Sequence, residues 1–169
     1  ESKKTIKNKW TILALRNGVW CSSAGIDESN AKGKLILLPI DPFSEAEKIR
    51  KILLKHYKIK KLGIIISDSR NFPLRLGAMG IALGYAGFLG LKNYVGKKDI
   101  FGRKFQFERV NVADSLASSA MVDMGEGDER KPLVVIEDAP IFFTNKKTDP
   151  KELFLDPKND IYRKLYQNL

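Results

Sequence analysis

Three acidic segments interrupt otherwise apolar stretches of this chain: Gly25-Ile26-Asp27-Glu28-Ser29-Asn30, Ser67-Asp68-Ser69 and Met124-Gly125-Glu126-Gly127-Asp128-Glu129. Carboxylates and hydroxyls are hard oxygen donors. Mg²⁺ and Mn²⁺ take such donors, commonly with a substrate phosphate and water completing the sphere. Each segment also has a plain structural reading. An Asx-turn or cap explains Asp27 as well as a metal does. Asp68 ends a buried apolar run and precedes the hydroxyl of Ser69, a recurrent place for a ligand and equally for a strand-end turn. Glu126 stands between two glycines, which permit close approach of a ligand, yet a helix-ending turn needs none. Together, three acidic groups on three loops supply the number a dinuclear metal–phosphate site needs.

The rest of the chain is cationic. Thirty Lys and Arg face twenty Asp and Glu, a formal charge of +10. A basic protein with embedded carboxylates suits metal ions and a polyanionic substrate such as a nucleotide. Charge alone does not choose between nucleic acid, an acidic membrane and a phosphorylated small molecule, and Lys3-Lys4, Lys60-Lys61, Lys97-Lys98 and Lys146-Lys147 read first as solvated surface. Other chemistries are poorly served. His56 is the single histidine and falls on an apolar helical face, as a core or boundary residue. A Ser-His-Asp or Cys-His mechanism would need it beside a nucleophile. Cys21, the single cysteine, reads as a small buried thiol, with no disulfide framework and no zinc knuckle. Gly90 to Gly96 followed by Lys97 lacks the spacing and the Ser/Thr of a phosphate-binding P-loop. The apolar runs are too short to span a bilayer and the N-terminus lacks the apolar region of a signal peptide, so a cytoplasmic protein is expected.

The elements that must position these groups follow from periodicity. Trp10 to Trp20 and Lys34 to Pro39 read as strands. Ser44 with Glu47 forms a capping box for a helix whose apolar face is Ala46, Ile49, Ile52, Leu53 and His56. Leu62 to Ser67 is a β-branched strand delivering Asp68 at its end. The glycines from Gly77 to Gly90 fit bulged strands or close backbone packing. Phe105 and Phe107 alternate with polar neighbours as a half-buried strand. Asn111 with Asp114 opens a second helix with Val112, Ala113, Leu116, Ala117, Ala120, Met121 and Met124 on one face and Gly125 at its end. Leu133 to Ile136 reads as another core strand. Thr144 to Pro157 is a polar, proline-marked linker to a short helix over Asp160 to Tyr166. Strands and helices that do not alternate regularly define an α+β fold, with mixed, largely antiparallel sheets and two main helices. The expected organisation is a domain over residues 1–143 and a linker with a helical tail over 144–169.

A family resemblance runs through the same residues. Cys21-Ser22-Ser23-Ala24-Gly25-Ile26-Asp27-Glu28-Ser29-Asn30, Leu37-Leu38-Pro39-Ile40-Asp41-Pro42 and Ile65-Ile66-Ser67-Asp68-Ser69 resemble the coenzyme F420-0:γ-glutamyl ligases. So do Gly80-Ile81-Ala82-Leu83-Gly84, Tyr94 through Arg103, Asn111 through Ala117, and Met124-Gly125-Glu126-Gly127. The likeness extends from about Asn17 to about Ile136. It implies the fold of that family and a ligase that adds L-glutamate in γ-linkage to a carboxylate, using GTP, two divalent cations (Mg²⁺ or Mn²⁺) and a monovalent cation such as K⁺. It implies Asp27 and Asp68 as ligands of one divalent ion, Ser69 and Glu126 as ligands of the second, and Asn30 as a nucleotide contact. The backbone from Met124 to Lys131, including Gly125, Gly127 and Asp128, would wrap the nucleotide. It also implies a homodimer.

Two departures bear on this. Where the deazaflavin-coenzyme enzymes carry Phe-Gly-Arg-Pro-Trp-Arg after the hydroxyl residue, this chain reads Arg70-Asn71-Phe72-Pro73-Leu74-Arg75, and Ala78 replaces a typical Gln. Pro73 and Arg75 are kept, and Arg75 is a candidate for holding an anionic group of the acceptor. This variant is similar to the folate-metabolism γ-glutamate ligase branch, so the expected acceptor is a folate-like or deazaflavin coenzyme. The family's further N-terminal segment, with Leu-Pro and His-Lys motifs that contribute to the GTP site, is expected to lie outside this chain. The rival reading is a non-catalytic module that keeps the fold and binds nucleotide or nucleic acid. Retained carboxylates at Asp27, Asp68 and Glu126 argue against a nucleic-acid partner, because they repel phosphate.

Overall fold

The structure, a computed structural model, describes residues 5–7, 9, 11–16 and 19–166. It divides into two compact units: Glu1–Ile40 with Arg70–Ala78 and Phe154–Leu169, and Asp41–Ser69 with Met79–Leu153. The fold is α+β, as the periodicity predicts, with antiparallel pairings and two main helices.

In the first unit, β1 (Thr5–Lys7), β2 (Ile12–Arg16) and β3 (Val19–Ser22) form a three-stranded antiparallel sheet in that order. Ala14 and Cys21 are register partners, and both are buried. The buried thiol is the one expected; it donates to the Val19 carbonyl at 3.7 Å. Of the strand expected over Trp10 to Trp20, Trp10, Asn17 and Gly18 lie outside the described residues. The run from Lys34 to Pro39 shrinks to β5 (Ile36–Leu37), paired antiparallel with β4 (Ile26–Asp27). A 3₁₀ turn over Pro157–Asn159 and a one-turn helix, α3 (Arg163–Tyr166), make up the C-terminal part; the helix begins later than Asp160.

The second unit holds the larger core. Its elements are α1 (Pro42–Tyr57), all but the last two residues of β6 (Ile64–Asn71) and all but the first residue of its partner β7 (Ala78–Ala86), the antiparallel pair β8 (Leu91–Asn93) and β9 (Arg109–Asn111), and α2 (Val112–Met124). Tyr85, Phe88 and Ala113 form the buried centre, with Phe43, Ile65, Ala82, Val112, Leu116, Ile141 and Leu153 packed around it. The β7 glycines exist for close approach, as expected. A Cβ at Gly80 would lie 2.4 Å from the Ala117 carbonyl oxygen, and one at Gly84 would lie 2.5 Å from the Pro42 carbonyl carbon.

Helix α1 corrects two expectations. Its cap is Asp41, whose carboxylate accepts from the Ser44 N–H at 3.0 Å, and not Ser44. Pro42 explains the shift: it has no N–H to satisfy and its fixed φ suits the first helical position. The buried face is also rotated. Ala46 and Arg50 are buried, whereas Ile52 is 66% exposed and Ile49 and His56 are exposed too. Arg50 turns inward because acceptors await it: Nε donates to the Leu62 carbonyl at 2.9 Å and Nη2 to Asn145 Oδ1 at 2.7 Å. A buried guanidinium with fixed partners outweighs exposure of an isoleucine. His56 is thus a surface residue, edge-on to Tyr57, and not a core one.

Three further readings change. Asp68 does not end its strand; β6 continues to Asn71. Phe105 and Phe107 are not in a strand. Phe105 packs on Tyr94, while Phe107 is 76% exposed. Leu133 to Ile136 forms no strand, and Leu133 is 87% exposed; an apolar run becomes a strand only where an edge is open to pair with it. The stretch that opens the expected linker is tied to this unit. Thr144 N–H donates to the Gly87 carbonyl and Leu89 N–H to the Phe142 carbonyl. Tyr85 and the Gly90 N–H both donate to the Glu152 carboxylate.

Candidate metal and nucleotide site

In the first unit, Asp27 follows a run of left-handed backbone that ends on the buried Gly25. Ser23, Ala24 and Gly25 take φ values of 50°, 57° and 75° in succession. A left-handed turn of this length costs about 1–2 kcal/mol for each residue that carries a Cβ. The chain then enters β4, where Asp27 pairs with Ile36. Beyond it, Asn30, Lys32 and Gly33 again take positive φ, at 50°, 49° and 77°. Such conformations concentrate at ligand-binding loops. The Asp27 carboxylate is exposed. Oδ1 accepts from the Ser29 N–H at 2.8 Å and Oδ2 from the Ser29 hydroxyl at 2.9 Å. That is the Asx-turn of the plain reading, and it does not exclude a cation, since each carboxylate oxygen keeps a second lone pair. Arg75 lies on the exposed loop after β6, where its N–H donates to the Phe72 carbonyl.

In the second unit, Asp68 and Ser69 are half-buried side chains on β6. Met124 ends α2, and Gly125, at φ 74°, closes it with its N–H on the Met121 carbonyl. Glu126 follows at the surface. Among the described residues its carboxylate has no hydrogen-bond or ion-pair partner. The Gly127 N–H donates to the Glu129 carboxylate at 2.8 Å, which curls the loop back on itself; Asp128 is exposed beside it. Lys131 crosses to Asp123 on α2 at 2.7 Å, and that contact raises the ammonium's pKa above its ordinary value. Both ends of this pair are exposed, so its contribution to stability is small.

The donor chemistry fits hard divalent ions. Asp27, Asp68, Ser69 and Glu126 offer only oxygen, and Mg²⁺ and Mn²⁺ take oxygen with phosphate and water. Ser69 and Glu126 belong to one unit, and Asp27 to the other. Among the described residues no three His, Cys, Asp or Glu side chains gather as a metal cluster. No described helix is long and apolar enough to cross a membrane.

Two polar side chains with lesser roles in the sequence reading hold the segments that carry these residues. Ser29 holds both oxygens of Asp27, and its Asp-x-Ser spacing is the signal that reveals it. Asp114 reaches from α2 to the Ala82 N–H on β7, 32 residues away, which no local pattern signals.

Comparison with known proteins agrees with this architecture. The family model described as F420-0:Gamma-glutamyl ligase matches residues 1–138, and the chain belongs to that family. Curated relatives carry the name coenzyme F420:L-glutamate ligase. That of Methanocaldococcus jannaschii is 41% identical over 165 residues, that of Methanococcus maripaludis strain C6 is 38% identical over 165, and that of Methanothermobacter thermautotrophicus is 37% identical over 166. Each alignment covers 96% of this chain and 65% or 66% of the relative, so the chain spans just under two thirds of their length.

Proposed function

We propose that this chain works as a GTP-dependent, divalent-metal-dependent ligase that adds L-glutamate in γ-linkage to the carboxylate of a coenzyme acceptor. What carries the reading is the family match over residues 1–138, a span that contains an all-oxygen donor set at Asp27, Asp68, Ser69 and Glu126. These four are the ligands of two Mg²⁺ or Mn²⁺ ions. When bound, such ions neutralise the β- and γ-phosphate oxygens of the nucleotide. Asn30 contacts the nucleotide and the backbone of Met124, Gly125, Gly127 and Asp128 encloses it, while Arg75 faces an anionic group of the acceptor. K⁺ serves as the monovalent cation, and the functional unit is a homodimer.

The chemistry needs no protein nucleophile. An oxygen of the acceptor carboxylate attacks the γ-phosphorus, the bond to the β-phosphate oxygen breaks, and GDP leaves. The amine of glutamate then attacks the acyl carbon of the acyl phosphate, forms the amide, releases inorganic phosphate and loses a proton. The exposed His56 and the buried Cys21 take no part. The basic surface draws the anionic substrates in.

The names of the relatives support a deazaflavin coenzyme as acceptor. The altered run Arg70 to Arg75 supports a folate-like one. Incubating the protein with GTP, Mn²⁺, L-glutamate and each acceptor in turn, with products read by mass spectrometry, tests the proposal. The expected result is one acceptor lengthened by a γ-linked glutamate, with one GDP and one phosphate released per bond. GTP bound with neither acceptor extended would favour a non-catalytic binding module.

A further inference from the structure

Helix α2 lies on β7 through contacts that set its position along the strand. Asp114 and Ser118 stand one turn apart on α2, about 6 Å along its axis. Asp114 Oδ1 accepts from the Ala82 N–H at 2.9 Å, and the Ser118 hydroxyl donates to the Gly80 carbonyl at 2.6 Å. Those two backbone groups are two residues apart on β7 and leave it by the same edge. The helix therefore offers the strand one acceptor and one donor along a single edge. Between them, the Ala117 carbonyl sits so close to Gly80 that a Cβ there would be 2.4 Å away. Asp114 is itself fixed from behind: Asn111 Nδ2 donates to its Oδ2 at 2.6 Å, and the Asp114 N–H donates to Asn111 Oδ1 at 3.0 Å.

A helix held only by apolar contacts can slide or roll at little cost. This one cannot move by a residue without breaking both bonds and driving backbone into backbone. Its C-terminus leads directly into Gly125 and Glu126, and the strand it grips is paired with β6, which carries Asp68 and Ser69.

We infer that Asp114 and Ser118 are positioning residues: they fix the register of α2 on β7 and thereby set where Glu126 and the Gly125–Asp128 loop stand. The inference rests on the metal reading of Glu126 for its functional consequence. Partners that orient a metal ligand without touching the ion change affinity by about 10–100-fold when removed.

The test compares the wild-type chain with Ser118→Ala, Asp114→Asn and Ser118→Thr. Mn²⁺ binding by electron paramagnetic resonance, amide hydrogen exchange over residues 125–131 and thermal melting are all measured. Asp114→Asn keeps an acceptor for Ala82 and loses the one for Asn111. The expected result is Mn²⁺ affinity about tenfold weaker in Ser118→Ala, weaker also in Asp114→Asn, and restored in Ser118→Thr. Faster exchange in the 125–131 loop accompanies the loss, with melting temperature lowered only a few degrees. Lower melting temperature with unchanged Mn²⁺ affinity and unchanged loop exchange would make the contacts merely structural and overturn the inference. Should the wild type bind no Mn²⁺, the metal reading fails by itself, and loop exchange decides the positioning role: faster exchange in Ser118→Ala supports it, and none contradicts it.

Discussion

The two units hold their acidic groups by different means. In the second, Asp68, Ser69 and Glu126 depend on a scaffold with a buried aromatic centre, glycines at backbone contacts and side chains bonded to distant main chain. In the first, Asp27 depends on consecutive left-handed residues and a two-residue strand pair. There Leu35, Leu37, Ile40, Leu74 and Leu76 are all exposed. Packing fixes a ligand over a wide range of local sequence, because many contacts share the task. Backbone conformation fixes it through a few residues whose identity then cannot change freely. The contrast predicts global damage from substitutions in the second unit and local damage from those in the first.

The largest effect is expected at Gly84. A methyl there meets the backbone of Pro42 and Phe43 at 2.5–2.7 Å, and neither chain can yield without moving α1. Gly84→Ala should cost about 3 kcal/mol, seen as an earlier midpoint in urea with the whole transition shifted. A smaller loss is expected for Tyr85→Phe. The hydroxyl is buried and donates to Glu152, and burial first, with that hydrogen bond second, raises its pKa far above the usual phenol value. Removing it leaves the Glu152 carboxylate with the Gly90 N–H and should cost about 2 kcal/mol; a change near zero would show that residues 141–153 are not tied down by this bond.

The smallest effect on stability is expected at Gly25, where a Cβ must adopt a φ of 75°. Gly25→Ala should cost about 1 kcal/mol, yet it acts on the turn leading to Asp27. Its signature is weakened Mn²⁺ binding out of proportion to the loss in stability. If stability falls as far as in Gly84→Ala while Mn²⁺ binding is untouched, the contrast between the units is wrong.

What was legible in the sequence follows the same division. Helix α2 could be read in full because cap, periodic face and terminal glycine agree: Asn111 accepts from Asp114, Ala113 and Ala117 are buried, and Gly125 ends it. Helix α1 was legible as a helix but not in its orientation. The burial of Arg50 depends on the Leu62 carbonyl and on Asn145, 95 residues further along, and helical periodicity sees neither. Leu133 to Ile136 shows the reverse error, an apolar run taken for core. The oxygen donors at Asp27, Asp68, Ser69 and Glu126 were legible as residue types in short segments. What holds them was not, since the bonds from Asp114 and Ser118 to β7 join residues 32 and 38 apart.

The most direct test of the metal–nucleotide reading is calorimetric GTP binding by the wild-type chain and by Asp68→Asn, each with and without Mn²⁺, beside a circular dichroism spectrum of both. The wild type is expected to bind GTP only with Mn²⁺, and Asp68→Asn to lose this binding while keeping its fold. Equal, Mn²⁺-dependent binding of GTP by a folded Asp68→Asn protein would contradict it.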